Sequence, residues 1–589
     1  MYDHWNLDAL YKGYDDEKFI SDYEKLGVLT QKTEDLSKKA GQTDDLSFIR
    51  DYLLLAEESE ETFFKLICFA MLKQSVNSKD EEAASYIGRI MSKMSASAAP
   101  DSIMRKYIGN IANLDELIER DPLLSEYSYF LKRQKENAAH LLPGGEEEIL
   151  AKYDISGGKA WSDLRDYLTS SVEVEYNGVV TNLSDIRNKA YDESEEVRKS
   201  AYEAELACYP KIKDSVAFSL NSIKLQAINE AKLRGFDSVL DRTLYQSQTQ
   251  PSTLKALLSS MEEYMPHFRR YLRAKAKLLG HENGLPWYDL FAPVGKSDEE
   301  FTPESARAYL VKVFSAFDSE LASMIDRAFA EEWIDFYPAD GKQGGAFCEG
   351  IHPIRQSRIL TNFGGKFTDV MTLAHELGHA FHNENIYSHR ILNSDYSMPV
   401  AETASNFNEI MVMDYALSHA SSDEEKLALL EGKLSDTTQI ICDIYSRFLF
   451  EKSVFDARSN DFMFADRLSE MMLDAQKKAY GNGLDENFMH PYMWICKSHY
   501  YSSGLSYYNW PYAFGGLFAQ GLFAKYKEVG EEFVPLYKNL LHATTVCSVE
   551  DTAKIAGIDL SDASFWQSGL DCFVKMIDEF EKLCEKFGA

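Results

Sequence analysis

No stretch of this chain is apolar enough to cross a membrane, because none approaches the roughly 18 uncharged apolar residues that a spanning helix needs. The N-terminus also lacks the features of an export signal. Residues 1–15 contain acids and aromatics instead of a basic start followed by an apolar run. These absences predict a soluble, cytoplasmic protein with no membrane partner.

Basic residues are few relative to acidic ones. The chain has 62 Lys and Arg against 94 Asp and Glu, which gives a formal net charge of -32. Nucleic-acid binding draws its affinity from clustered Lys and Arg, so this balance argues against a nucleic-acid partner. An acidic balance by itself names no substrate, and its usual consequence is solubility.

Paired cysteines and proline are also scarce. The eight cysteines lie far apart without a Cys-x-x-Cys pair, which argues against a metal knuckle or redox motif and predicts reduced thiols. The 15 prolines fall largely in connectors such as 285–294 and 490–511. Long segments between such connectors are therefore free to form helices.

Apolar residues at helical spacing recur along most of the chain, and they predict a mainly α-helical fold. A chain of 589 residues is too long for one small core, so we expect two or three lobes. The clearest helical segments are 46–73, 212–234, 252–279, 424–455 and 562–587.

Two segments break the helical pattern. Residues 172–182 alternate apolar and polar side chains around Asn177-Gly178, the strongest short signal for a β-hairpin. We assign this hairpin to an N-terminal helical lobe of residues 1–195. Further on, 346–349 and 357–363 read as two strands of a small sheet.

A helix follows this strand pair at once. Gly364-Gly365 ends the second strand, and Thr368 or Asp369 can cap the next helix. The predicted order is strand, glycine turn, helix, with the small sheet beside that helix.

The helix carries a His-Glu-x-x-His motif from His375 to His379. The two histidines are four apart, so their imidazoles project from one face and can share a zinc ion. Glu376 flanks that face and is placed to take a proton from water. The competing interpretation is a helix with two unrelated histidines, and a well-capped helix with a further ligand downstream argues against it.

A catalytic zinc keeps three protein ligands and an open position, so a third ligand is needed. The candidates are His382, Glu384, Glu402 and Glu409. A metzincin would have Gly at position 382 and His at position 385, and this chain has His382 and Asn385 there, which excludes that class.

Residues 400–409 read as a second helix with Glu402 and Glu409 on a common face. We predict Glu402 as the third ligand. Glu409, two turns along, would hydrogen-bond a ligand histidine and fix its tautomer. His382 is better explained as a packing residue or a supporting neighbour of the site than as a ligand.

These residues resemble the oligoendopeptidase F family, relatives of thimet oligopeptidase. The resemblance rests on 356–360, 372–382 and 401–405 together with Glu409. It implies a two-lobed helical shell around a deep channel, with one zinc at its base and only short peptides admitted. On this basis residues 196–589 form the zinc-peptidase catalytic region.

The nearest competitor is the thermolysin-like class. Those enzymes carry Asp four residues after the glutamate ligand, whereas this chain has Asn406 there and Glu409 three residues later. The oligopeptidase resemblance is therefore favoured.

The family also uses a His and several Tyr residues from a late aromatic segment to hold the substrate and the developing oxyanion. Residues 499–512 resemble that segment. His499 and Tyr512 match best, and Tyr508 also fits the pattern, but Trp510 stands where a tyrosine is usual. Attack on a carbonyl needs such donors in any case, because it places negative charge on the oxygen.

Tyr501, close behind His499, is a further candidate for this role, and Tyr507 is a candidate for substrate binding. Core packing explains an aromatic-rich run equally well for Tyr507 and Trp510.

We further predict that a peptide lies extended along 357–363 as an edge strand, so that backbone hydrogen bonds make recognition tolerant of many side chains. The substrate-binding residues predicted there are Ser357, Arg358, Ile359 and Leu360. Two other functions stay open: a peptide-binding protein of the same fold without activity, and a zinc hydrolase of a non-peptide amide. The sequence assigns no oligomeric state.

Overall fold

The computed structural model of this chain describes residues 4–295 and 299–588. They form two compact units, each of which draws on three stretches of the chain. The first unit comprises Met1–Leu141, Glu299–Val412 and Val529–Gly557, and the second comprises Leu142–Asp298, Met413–Glu528 and Ile558–Ala589. The predicted boundary at residue 195 divides the chain into two consecutive segments, whereas each compact unit combines three separate stretches. The boundary stays a prediction.

Helices dominate both units, so the predicted mainly α fold is confirmed. The first unit contains α1 (Glu17–Ser37), α2 (Asp45–Val76), α3 (Glu81–Ser95), α4 (Ala98–Gly109), α5 (Leu114–Arg120), α6 (Pro122–Glu126), α7 (Ser128–Ala138), α15 (Pro303–Ser315), α16 (Ser319–Ala330), α17 (Phe367–Ile386), α18 (Met398–Ala401), α25 (Phe533–Ala543) and α26 (Val549–Ile555). The helix α19 (Thr403–His419) begins in this unit and ends in the second.

The second unit contains α8 (Gly144–Ser156), α9 (Gly158–Ser171), α10 (Leu183–Asn188), α11 (Glu195–Cys208), α12 (Lys213–Leu233), α13 (Val239–Gln246), α14 (Pro251–Leu278), α20 (Asp423–Thr438), α21 (Ile444–Arg458), α22 (Ala465–Tyr480), α23 (Met493–Cys496), α24 (Trp510–Val529) and α27 (Ala563–Phe587). A π-helical turn, Gln439–Asp443, joins α20 to α21. The five helical segments read from the sequence all correspond to helices in the structure.

Two small sheets interrupt the helices. In the second unit, β1 (Val174–Tyr176) and β2 (Val179–Thr181) form an antiparallel hairpin across Asn177 and Gly178. Both turn residues have positive φ, 52° and 78°, as a tight hairpin turn requires.

The second sheet lies in the first unit and contacts α17. Its strands are β3 (Ile334–Asp335), β4 (Phe347–Ile351) and β5 (Gln356–Leu360), in the order β3-β5-β4. β4 pairs antiparallel and β3 parallel with β5. A small sheet beside the motif helix is therefore confirmed.

The order of this sheet corrects one prediction. β5 lies between two strands, so 357–363 is not a free edge on which a peptide can add. The edge was misplaced because β3 contributes only two residues, too few to be recognised in the sequence. The side chains of the four residues predicted to bind substrate there are buried: Ser357, Arg358, Ile359 and Leu360. The outer strands of this sheet are β3 and β4, and β4 presents the longer free edge.

The sheet and the helices share hydrophobic cores within each unit. In the first unit, Phe19 of α1 and Leu66 of α2 belong to one cluster with Ile351 and Leu360 of the sheet. In the second unit, a separate cluster joins α12, α21 and α22 to the segment that contains Tyr500. Among the described helices, none combines the length and apolar character that a membrane span needs.

A buried ion pair joins α12 to α21 in the second core. The Lys224 ammonium lies 2.6 Å from Oε1 of Glu451, and both side chains are at most 1% exposed. The same carboxylate oxygen accepts the backbone N–H of Tyr507 at 3.1 Å. One buried charge pair thus holds two helices and the aromatic segment together.

We expect Lys224→Met to lower the free energy of unfolding by about 3–5 kcal/mol, because it leaves the Glu451 carboxylate buried without its counter-charge. Urea unfolding followed by circular dichroism measures this loss. The control is Lys213→Met, since Lys213 pairs with Asp466, whose side chain is 84% exposed; this change should cost less than about 1 kcal/mol. Equal losses in the two variants would contradict the assignment.

Candidate metal centre

The motif helix α17 begins at Phe367 and is capped from its first turn. The Asp369 carboxylate accepts the backbone N–H groups of Gly364 at 3.0 Å and of Lys366 at 2.8 Å. Asp369 therefore supplies the predicted cap, whereas Thr368 does not. The negative charge also lies at the positive end of the helix dipole.

A close approach of two helices brings the site together. Gly378 of α17 lies against the start of α19, where a Cβ atom would be 2.5 Å from the carbonyl oxygen of Ala404. The buried Asn408 side chain of α19 donates to the carbonyl of Ala374 at 3.1 Å and holds the same contact. Any side chain at 378 would push the two backbones apart.

This contact places three predicted ligands around one point. Nε2 of His375 and Nε2 of His379 each lie 3.3 Å from Oε2 of Glu402. Two tetrahedral zinc ligands at about 2.0–2.1 Å from the ion are about 3.3–3.4 Å apart, so the spacing of these atoms fits one zinc ion. Ser405 Oγ donates to the same Glu402 oxygen at 2.7 Å and orients the carboxylate.

Glu409 contacts His375 at Nδ1, the ring nitrogen that does not face Glu402. Its Oε1 lies 2.5 Å from Nδ1 of His375, as predicted from the helical spacing. A proton held on Nδ1 by this carboxylate leaves the Nε2 lone pair free toward the common point. Glu384, the other acid considered as a ligand, instead pairs with Arg327.

The electrostatics of the site favour positive charge at that point. Burial lowers the pKa of His375, but hydrogen bonds to Glu402 and Glu409 outweigh burial and raise it to about 10. For Glu402, burial raises the pKa, and the hydrogen bonds from His375 and His379 outweigh it and lower the pKa well below the usual range. A divalent cation at that point would contact Glu402 directly and would be stabilised by Glu409 through His375.

Glu376 is buried beside these ligands and has a different environment. Burial is the main influence and raises the pKa of its carboxyl group, although the neighbouring His375 and His379 oppose the rise. A carboxylate with a raised pKa at a metal site is suited to accept and return a proton near neutral pH.

A polar cavity of about 460 Å³ opens onto Glu376 and the three ligands. Phe347, Cys348, Glu349 and Gly350 of β4 line it, so the free edge of the sheet borders the site. Asn383, Ser394, Asp395 and Tyr396 complete the wall. Sequence reasoning missed these wall residues, and only the alternation at 346–349 hinted at the strand.

His382 packs away from the ligands. It is fully buried, its Nε2 lies 2.8 Å from Thr544 Oγ1, and its ring stacks on Tyr396 with 4.4 Å between centroids. Burial lowers its pKa to about 3, so it stays neutral. Of the two predicted roles for this residue, its contacts are those of a packing residue.

The aromatic segment lies in the second unit, and three of its predicted residues form a cluster. His499 Nε2 lies 3.3 Å from the Tyr512 hydroxyl, and the His499 ring stacks on Tyr508 with 5.1 Å between centroids. Burial and the nearby Arg447 lower the pKa of His499 to about 4, so the imidazole is neutral. Tyr512 is 39% exposed, the largest exposure of any residue of this cluster.

The structure separates two other aromatic candidates from this cluster. Tyr501 is buried, and its hydroxyl donates to the carbonyl of Trp494 at 2.9 Å. Tyr507 is also buried and packs on Phe448 and Phe455. Both are therefore packing residues, which corrects their assignment to substrate chemistry.

A helix that presents His-Glu-x-x-His, with a glutamate from the residue that precedes the next long helix and room for one divalent ion, defines a metallopeptidase type of site. The comparisons with known proteins agree. Residues 189–571 match the model of Peptidase family M3, and residues 110–173 match that of Oligopeptidase F. The chain belongs to peptidase family M3, in its oligoendopeptidase F group, and is a peptidase.

Relatives and solved structures support this membership. The chain is 25% identical to group B oligopeptidase PepB of Streptococcus agalactiae over 79% of this chain and 78% of the relative. It is also 25% identical to oligopeptidase PepF of Bacillus subtilis, over 80% and 71%. The fold matches oligoendopeptidase-F from Enterococcus faecium with a TM-score of 0.72 and 19% identity, over 97% of this chain and 99% of that one.

A chain from Chlamydophila abortus gives a TM-score of 0.85 at 21% identity over 98% of both chains. At these identities the two structural matches establish the fold.

We expect Gly378→Ala to weaken metal binding, because the added Cβ forces α17 and α19 apart and moves Glu402 away from the histidines. The control is Gly88→Ala in α3, where a Cβ meets no atom within 4 Å; it should stabilise the protein by up to about 1 kcal/mol. Competition with a zinc-sensitive dye measures affinity. Unchanged zinc affinity in a folded Gly378→Ala protein would contradict the role of this contact.

Proposed function

We propose that this peptidase is a zinc-dependent endopeptidase that hydrolyses internal bonds of short peptides, with Glu376 as the general base. The observation that carries the proposal is the convergence of His375, His379 and Glu402 at 3.3 Å beside the buried Glu376. The restriction to short peptides draws its support from the relatives that are named oligopeptidases. A cytoplasmic location belongs to the same proposal.

His375, His379 and Glu402 would hold the zinc ion, which when bound would act as a Lewis acid on the scissile carbonyl and increase the acidity of water. Glu376 then takes a proton from the attacking water and returns it to the leaving amine. Glu409 keeps His375 in the tautomer that offers Nε2. No covalent bond between the chain and the substrate is needed.

The edge of β4 is our proposed substrate strand. Its residues line the cavity beside Glu376, and its outer backbone groups are free of a neighbouring strand among the described residues. An extended peptide can pair with such an edge through backbone hydrogen bonds, which gives affinity with little dependence on side chains. This replaces β5 in the role that the sequence suggested.

Tyr512, Tyr508 and His499 are our candidates for donors to the developing oxyanion. Their clustering and the exposure of Tyr512 support this role, together with the family resemblance. Tyr512 is the first choice, because a neutral phenol can donate a hydrogen bond to negative charge.

Two alternatives remain from the sequence: a silent peptide-binding protein, and a zinc hydrolase of a non-peptide amide. Incubation of the purified protein with a mixture of short peptides, with and without a chelator, distinguishes all three. Chelator-sensitive cleavage at internal bonds, identified by mass spectrometry, supports the proposal. Binding without cleavage favours the first alternative, and neither binding nor cleavage favours the second.

We expect Glu376→Gln to reduce kcat by about 10²–10⁴-fold while zinc stays bound, because the amide cannot accept the proton of water. Peptide turnover and metal content by mass spectrometry measure the two effects. The matched control is Glu384→Gln on the same helix, since Glu384 pairs with Arg327 and not with the ligands. Substantial turnover by pure Glu376→Gln protein would refute the assigned role.

Metal content should distinguish the two downstream acids. Glu402→Ala removes a ligand, so we expect zinc occupancy well below one ion per chain after dialysis. Glu409→Gln removes only the partner of His375 Nδ1 and should weaken zinc affinity by about 10–100-fold. Full zinc occupancy in Glu402→Ala would mean that another group serves as the third ligand.

A further inference from the structure

A second cavity, of about 250 Å³, lies wholly within the second unit. Its wall includes Arg187 from α10, His490, and Lys497, which follows α23 directly. This cavity contains none of the metal ligands. It is therefore a separate feature of the fold, with its own charge and shape.

Lys497 is the unusual member of this wall. Within residues 4–295 and 299–588, its ammonium group has no hydrogen bond and no ion pair. Burial lowers the pKa of Lys497 to about 8, although Asp443 opposes the shift. Asp443 does not fully neutralise the Lys497 ammonium group, because the Asp443 carboxylate is paired with Arg447.

The other cations of the wall have carboxylate partners. Arg187 lies 3.5 Å from Glu205 Oε1, and Arg198 lies 2.7 Å from Asp289 Oδ1. Lys497 is thus left as excess positive charge in a chain whose net charge is -32. Lys497 is half-buried. A partly desolvated ammonium without a counter-ion is unfavourable for the fold, and an anion in the cavity would stabilise it.

The other residues of the cavity wall indicate which kind of molecule could carry the negative charge. Tyr191 and Phe291 lie with ring centroids 5.0 Å apart, and Trp287 lines the cavity beside them. His490 also lines the cavity, and its Nε2 lies 3.1 Å from Glu205 Oε1. The volume is below the roughly 300–1,000 Å³ of pockets for larger ligands, so it suits one or two amino acids.

We propose that this cavity binds a small carboxylate with an apolar or aromatic body, either a free amino-acid derivative or the last residue of a short peptide, with Lys497 as the counter-charge. Arg187 contributes to the positive end of the cavity, and the aromatic wall contacts the side chain. The competing explanation is a lysine retained for folding. That explanation predicts that loss of the ammonium destabilises the protein.

The test is calorimetric binding of N-acetylphenylalanine and of its amide to the zinc-loaded, full-length protein. The wild-type protein should bind the acid at least tenfold more tightly than the amide. Lys497→Met should abolish that preference without lowering the melting temperature. Lys478→Met makes the same charge change on the exposed surface and should keep the preference.

Glu402→Ala separates this site from the metal centre, because a carboxylate bound to zinc would be lost in that variant and one bound in the cavity would remain. The proposal is overturned if the wild-type protein binds the acid no more tightly than the amide. It is also overturned if Lys497→Met keeps the preference, or if the preference disappears in Glu402→Ala.

Kinetics distinguish the two sources of the carboxylate. If the cavity holds the end of a substrate, C-terminal amidation of a cleaved peptide should raise KM in the wild-type protein and leave KM unchanged in Lys497→Met. If amidation has no effect on either protein while N-acetylphenylalanine binds, the ligand is a free carboxylate. Both results support an anion-binding cavity and assign its occupant.

Discussion

The contact between Gly378 and the backbone at Ala404 sets the geometry of the metal centre. Two of the proposed ligands come from α17 and the third is the residue just before α19, so their separation depends on how closely the two backbones approach. Since helix axes normally lie about 8–10 Å apart, small residues at the crossing point allow the shorter ligand distances. The motif works only because a glycine stands inside it.

The same contact concentrates negative charge. Glu402 and Glu409 both approach His375, and Glu376 lies buried beside them. Their environments differ: the histidines lower the pKa of Glu402, whereas burial raises that of Glu376. The two carboxylates therefore suit the different tasks that we propose for them, Glu402 to hold a cation and Glu376 to exchange a proton.

The predictability of each feature follows from how local it is. Helices and the His375–His379 pair depend on spacings of three to four residues, so their periodicity was visible in the sequence. The approach of Glu402 depends on a contact between two segments far apart in the chain, so Glu402 was one of four candidates for the third ligand. Only two of the three strands of the sheet beside α17 were predicted from the sequence. β4 and β5 are neighbours in the chain, but the position of β5 as the central strand depends on β3, which is only Ile334–Asp335. A strand of two residues is too short for its sequence to indicate a parallel pairing.

The aromatic segment shows the same limit within a single run. All its tyrosines look alike in sequence. In the structure the Tyr501 hydroxyl donates a hydrogen bond to the carbonyl of Trp494 and is buried, whereas Tyr512 is 39% exposed. The chain turns between them at Tyr507, whose φ of 54° is held by a backbone hydrogen bond to Glu451. Glu451 is itself paired with Lys224, so a buried charge pair between α12 and α21 fixes the turn that separates Tyr501 from Tyr512.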